Sequence, residues 1–320
     1  MHRYRFRGAA VALAAAGLLL ALSAQPAQAT YPGANGRVLF SRFHPGVPDF
    51  ALYTANPDGT DVVQVAQGPS YCPEWSPDGS RVAFTIASDL GLIATMNADG
   101  SGQEIIGAGE CASWSPDQSR FVFDFGSGDP NQPGFATALW TMNPDGSDRH
   151  PLLPAATSGF DVEPRWSPTG ALITFVRIRK GVQGVQQEAV FTVRPDGTRL
   201  RQLTSWGLAA EHPTWSPDGQ QITFNDASFK PGTHETIWVM RADGSDRHVL
   251  YQGTSNSGGV KPQFSPDGSQ ILFSCISYGS AFGNGHTEDI CTIHTDGTDL
   301  TDITNTPGAF ENNPSWGTVP

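Results

Sequence analysis

The sequence predicts an all-β fold, a six-bladed β-propeller of four-stranded antiparallel blades closed by a C-terminal strand that completes the N-terminal blade. Three observations carry this. A Pro-x-Trp-Ser-Pro-Asp-Gly segment recurs along the chain, a second Asp-Gly turn recurs between its copies, and the two chain ends hold complementary fragments of one repeat. A period of about 40 to 50 residues is the signature of a propeller or solenoid.

The anchor segments are Pro73 to Gly79, Ala112 to Gln118, Pro164 to Gly170, Pro213 to Gly219, Pro262 to Gly268 and Pro314 to Gly317. Their aromatic residues, Trp75, Trp114, Trp166, Trp215, Phe264 and Trp316, are spaced 39, 52, 49, 49 and 52 residues apart. Each complete anchor leads into a short apolar strand, such as Arg81-Val82-Ala83-Phe84 or Gln221-Ile222-Thr223-Phe224. The second turns follow at Asn56 to Gly59, Asn97 to Gly100, Asn143 to Gly146, Arg194 to Gly197, Arg241 to Gly244 and Thr295 to Gly297, each between an alternating strand and a shorter one. Pro presets φ in such turns, Asp bonds back to the backbone, and Gly takes positive φ without strain. The same Asn-Pro-Asp-Gly-Ser-Asp run at Asn143 to Asp148 resembles the start of a calcium loop, but it lacks the distant bidentate Glu and is read as a turn. The Trp supplies the surface that packs one blade on the next. At the ends, Arg37 to Phe40 has no preceding Trp strand and Pro314 to Trp316 lacks its following strands, so the fragments are expected to share a blade and protect its edges.

Composition agrees: 36 Gly and 25 Pro favour many short strands with tight turns. Arg3, Arg5 and Arg7 precede an uncharged apolar run from Ala9 to Leu22 that ends near Ala27-Gln28-Ala29, the pattern of a cleaved secretory signal peptide. The expected division is a leader over 1–29 and a single propeller over 30–320, in a secreted or periplasmic protein. No later stretch approaches the roughly 20 apolar residues of a membrane helix. The formal net charge is −12, more negative by three without the leader arginines, which argues against nucleic-acid binding.

These motifs resemble the TolB-like propeller family, with its Pro-x-Trp-Ser-Pro-Asp-Gly-x-x-Ile-x-Phe repeat, over nearly the whole mature chain. The second copy departs from it at Ala112 and Gln118, and the fifth at Phe264. The resemblance implies the propeller fold, and roles among periplasmic interaction proteins, accessory domains of prolyl-oligopeptidase-like peptidases, or stand-alone lyases. Only about seven residues separate the expected cleavage site from the first strand, so the N-terminal α/β domain of the family's namesake is not expected. No Gly-x-Ser-x-Gly nucleophile elbow occurs, and no segment remains for a hydrolase domain.

A meander places the Ser-Pro-Asp-Gly and Asp-Gly turns on one face, and the blade-to-blade connections with the variable middle loops on the other. Binding groups are expected on the variable loops. Three residues before each anchor aromatic the chain enters the innermost strand, giving Cys72, Cys111, Glu163, His212, Lys261 and Asn313 around the channel mouth. With Glu211, and with Asp161, Glu311 and Asn312 nearby, these are expected to form a polar ligand-binding pocket. A divalent cation in the channel is a further expectation; a water-filled polar channel is the competing one. Trp206, in a loop outside the packing pattern, is a candidate for sugar or peptide stacking. His234, His286 and Glu288 are weaker additions. Export permits disulfides, and no Cys-x-x-Cys spacing favours zinc, so Cys72 with Cys111 and Cys275 with Cys291 are the expected bridges, against four free thiols.

The leading functional expectation is an exported binding scaffold for a protein or peptide partner, with carbohydrate as another ligand class and no resident cofactor. The second is an extracellular polysaccharide lyase or hydrolase using His212 with Glu163 or Glu211 as acid and base.

Overall fold

The computed structural model describes residues 31–44, 50–88, 91–127, 136–154, 159–181, 185–226, 235–279, 286–306 and 308–319. The leader, and with it the expected cleavage site, lies outside the described residues, as do much of the middle loops and His234.

The regular structure of the described chain is strand, apart from a single 3-10 turn at Trp206–Leu208. Strands group as antiparallel meanders in which the anchor segment is always the first strand. Thus β4 (Ser70–Trp75), β5 (Arg81–Ile86), β6 (Leu92–Asn97) and β7 (Glu104–Ala108) pair in sequence. The same order holds for β8 (Glu110–Trp114), β9 (Phe121–Ser127), β10 (Ala136–Met142) and β11 (His150–Pro151). It holds again for β12 (Phe160–Trp166), β13 (Ile173–Lys180), β14 (Gln186–Val193) and β15 (Arg201–Gln202). Next come β16 (Ala210–Trp215), β17 (Gln221–Asp226), β18 (Thr236–Arg241) and β19 (His248–Gln252). Then β20 (Ser257–Phe264), β21 (Gln270–Tyr278), β22 (His286–His294) and β23 (Thr301–Asp302) follow.

The remaining meander draws on both chain ends. β24 (Phe310–Thr318) pairs antiparallel with β1 (Asn35–Phe43), which continues to β2 (Ala51–Ala55) and β3 (Val63–Ala66). Trp316, 4% exposed, packs with Val38, Phe40, Leu272 and Ile290, and so joins the terminal strands to the β20–β23 meander. Gly317 meets the Trp75 ring on the other side, where an added Cβ would stand 2.9 Å away; only a residue without a side chain fits.

Two turns repeat with constant chemistry. In the first, Ser76 Oγ donates to Asp78 Oδ1 and accepts from Arg81 N–H, while Gly79 N–H bonds Ser76 O. Ser115, Ser216 and Ser265 repeat this with Asp117, Asp218 and Asp267, and Ser167 with Thr169. Gln118 takes the left-handed position with φ 57°, where the other copies have Gly. In the second turn, Asp58, Asp99, Asp145, Asp196, Asp243 and Asp296 each accept from the residue two ahead. These turn aspartates are engaged by the backbone, as the turn reading of Asn143 to Asp148 expects.

The anchor aromatics form the core between meanders. Trp114 lies with Ala83, Ile93, Phe121 and Phe123, and Trp215 with Val190, Ile222 and Phe224. Burial of such rings between sheets is what a lone four-stranded sheet cannot provide.

Candidate functional site

Each first strand carries a bulge at the same place. The residue three before the anchor aromatic is left-handed in every copy: Cys72 (φ 47°), Cys111 (47°), Glu163 (54°), His212 (51°), Lys261 (56°) and Asn313 (53°). Register with the neighbouring strand shifts at each of these points. A bulge re-aims a side chain, and a non-Gly residue at positive φ is uncommon enough to mark a constrained position. Except at Ala112 the next residue is Pro, whose missing N–H is harmless where ladder pairing is interrupted.

Two residues further along each strand lies a second set, Glu74, Ser113, Arg165, Thr214, Gln263 and Ser315. These polar groups join one inner strand to the next. Ser315 Oγ accepts from Trp75 N–H at 3.4 Å, Glu74 Oε1 from Trp114 N–H at 3.2 Å, and Ser113 Oγ from Trp166 N–H at 3.4 Å. Gln263 Oε1 accepts from Trp316 N–H at 2.6 Å, and Thr214 Oγ1 donates to Pro262 O at 2.9 Å. Arg165 lies 3.4 Å from Glu74, and Trp215 Nε1 donates to Arg165 O. Tyr31 reaches the same level from the N-terminus and lines a narrow cavity with Glu74, Arg165, Trp166, Trp215 and Trp316.

Above it opens a vestibule of about 500 Å³ lined by Cys72, Cys111, Glu163, His212, Lys261 and Asn313 together with Phe50, Tyr71, Glu110, Asp124, Val162 and Asn312. The expected mouth residues therefore meet around one cavity. His212 is its centre of polar contact. Its Nε2 is 3.0 Å from Glu163 Oε1, its Nδ1 donates to Asn225 Oδ1 at 3.0 Å, and Glu211 Oε2 lies 3.8 Å from Nδ1. Both ring nitrogens thus face side-chain oxygens. Asn225 also accepts from Lys261 N–H, and Glu163 Oε2 from His212 N–H.

The charges are strongly perturbed. Burial resists ionisation of Glu163, but the charge and hydrogen bond of His212, then Arg165 and Lys261, hold its carboxyl at about 2. Glu211 shifts the other way: burial, then its hydrogen bond and repulsion with Glu188, keep it protonated far above the usual carboxylate range. Burial pushes the Lys261 ammonium down, against the attraction of Glu288, Glu163 and Glu211. A carboxylate held ionised and a carboxyl held protonated thus flank one imidazole, the arrangement that separates base from acid.

Both expected disulfides form. Cys72–Cys111 joins the inner strands β4 and β8 at the vestibule, and Cys275–Cys291 joins β21 to β22. Among the described residues, the only cluster with metal-ligand spacing is Cys275, Cys291 and Asp302, whose sulfurs are bonded to each other.

Other expectations separate from the vestibule. Trp206 packs tilted against Phe191 with ring centroids 5.6 Å apart, lies under the Arg179 guanidinium at 3.9 Å, and is not among the residues lining this cavity. Its position in the turn before β16, rather than on a mouth strand, is the physical reason. His286 and Glu288 pair at 3.4 Å on β22 and are also outside the vestibule lining. Sequence reasoning missed Glu110, Asp124, Asn225 and Glu188. A signal existed for two of them: Asp124 and Asn225 each follow the strand phenylalanine of their repeat, and Asp124 interrupts an apolar run where a polar residue needs a buried partner.

Residues 37–319 match the family described as TolB beta propeller domain. A TolB homolog from Chlorobium luteolum is 28% identical over 180 residues, an alignment spanning 56% of this chain but 29% of that protein. TolB from Acinetobacter baumannii superposes with a TM-score of 0.69 at 17% identity, covering 88% of this chain and 67% of that one. An oligogalacturonate lyase from Vibrio parahaemolyticus gives 0.56 at 13% identity, covering 86% and 77%. At these identities the structural matches establish a shared fold. With a repeat match across nearly all of the described chain, this protein belongs to the TolB beta propeller family.

Proposed function

We propose that residues 30–320 form one exported, closed six-bladed propeller, secreted or periplasmic, that binds a protein, peptide or small ligand through its mouth face. The observation that carries the reading is the ring of left-handed residues around the vestibule. At these positions the side chains vary from Cys to Lys, while the turns of the other face repeat one chemistry. Pairing of β24 with β1, and the hydrogen bonds from Ser315 to Trp75 and from Gln263 to Trp316, support closure of the ring. Membership of the TolB beta propeller family supports a binding role. The test is capture of a partner by immobilised mature protein, with Glu163→Ala/His212→Ala alongside it. Loss of the partner in that variant, with folding retained, is expected; undiminished capture would remove the mouth from the account.

A second reading is favoured by one observation, the placing of His212 between Glu163 at 3.0 Å and Glu211 at 3.8 Å. This trio suits general acid and base work on an extracellular polysaccharide, as a lyase or hydrolase. Product release from polysaccharides, assayed with and without a chelator and abolished by His212→Ala, would establish it and reveal any divalent cation. No turnover by wild type across acidic and neutral glycans would defeat it.

A further inference from the structure

The vestibule wall supplied by β4, β8 and β9 holds two carboxyls with no ion pair among the described residues. Glu110 and Asp124 are register partners in the β8–β9 ladder, and both line the cavity. Asp124 is 4% exposed; one carboxyl oxygen accepts from Glu163 N–H, and the other has no hydrogen-bond partner among the described residues. Burial, then the charges of Glu110 and Glu163, push Asp124 well above the usual carboxylate range; Arg165, which offsets part of this, is already paired with Glu74. The rings of Tyr71 and Phe50 line the same cavity.

Crowded carboxylates beside aromatic faces gain most from a group that brings positive charge, N–H donors and alkyl surface together. The geometry points to a primary-ammonium subsite formed by Glu110, Asp124, Tyr71 and Phe50. It rests on the binding reading above and names the chemistry that half of the vestibule recognises. A bare divalent cation fits less well: no third His, Cys, Asp or Glu ligand converges there among the described residues, and the aromatic walls offer no oxygen beyond the Tyr71 hydroxyl. A lysine side chain of a partner and a free alkylamine carry the same ammonium, and the experiment separates them.

Mature protein is titrated calorimetrically with N-acetyl-lysine amide, with n-butylammonium, with Nε-acetylated N-acetyl-lysine amide and with Ca²⁺ alone. Saturable binding of either ammonium probe, absent for the acetylated one, is expected. The tighter of the two identifies a peptide or a small-amine source. Glu110→Gln/Asp124→Asn should weaken it at least about tenfold, the effect of losing charge-assisted bonds. Glu110→Gln alone, at a residue that anchors no backbone group, should weaken it in the same direction and serves if the double variant unfolds. Equal binding of the acetylated probe, undiminished binding by these variants, or binding of Ca²⁺ without the ammonium probes would overturn the subsite. Partner capture that survives while no ammonium binds would defeat this subsite and leave the scaffold reading standing. Ammonium binding without partner capture would do the reverse.

Discussion

Two sets of residues on the same inner strands, only two positions apart, use their polar groups differently. Glu74, Ser113, Thr214, Gln263 and Ser315 spend theirs on neighbouring strands, so chemistry that reads as a site is connective. Cys72, Cys111, Glu163, His212, Lys261 and Asn313 stand at left-handed bulges and face a vestibule. The bulge between the two sets is what converts a wall into a mouth. Polarity alone does not identify function in a propeller channel: Glu163 itself accepts from His212 N–H on the next strand, and the mouth set is marked by its bulges and its place around the vestibule.

The comparison can be broken most severely at the deep level. Trp316→Ala removes the buried ring that ties the terminal strands to β21 and β22 and should cost about 3–5 kcal/mol, read by denaturant unfolding. A loss below about 1 kcal/mol would mean that the terminal strands do not clasp the ring. Cys72→Ser/Cys111→Ser, which unties the mouth between β4 and β8, should cost about 2–4 kcal/mol, with native-state mass analysis showing the bridge in wild type.

A pH titration of stability addresses the mouth charges. Glu163 has its folded value depressed from 4.5 to about 2, so its contribution is complete above 4.5 and is lost as pH falls toward 2. Discounted for a side chain 26% exposed, that limb amounts to about 2 kcal/mol and should vanish in Glu163→Gln. Asp289 runs the other way. Burial, then Asp302, raises it from 3.8 to about 6, so stability present below 3.8 is lost as pH rises through 6, and Asp289→Asn should flatten that limb. The smallest effects sharpen the contrast between the two levels. Gln263→Ala strands the Trp316 N–H and should cost about 1.5 kcal/mol, while Asn313→Ala, whose side chain bonds only Asn312 among the described residues, should stay within about 0.5 kcal/mol. Equal costs would erase the distinction.

Much of this was legible in the sequence because the repeat fixes phase. Once the anchor aromatics are aligned, counting back three residues reaches Cys72, Glu163 and His212 without a structure, and the equivalence of Cys72 and Cys111 suffices to pair them. What remained hidden depends on proximity across strands. Glu188 on β14 raises Glu211 on β16, and nothing in the spacing of 23 residues announces that proximity. Trp206 shows a related gap: it falls outside the repeat, and nothing in the spacing announces that Phe191 and Arg179 come together beside it. A residue outside the pattern is not thereby free.

The central claim, that binding is written at the bulged mouth and not in the repeated turns, is tested most directly by hydrogen exchange on the mature protein with and without its captured partner. The account predicts new protection at the segments around 71–72, 110–111, 162–163, 211–212, 261 and 312–313, with the Ser-Pro-Asp-Gly and Asp-Gly turns unchanged. Protection confined to those turns, with the mouth exchanging as in the free protein, would contradict it.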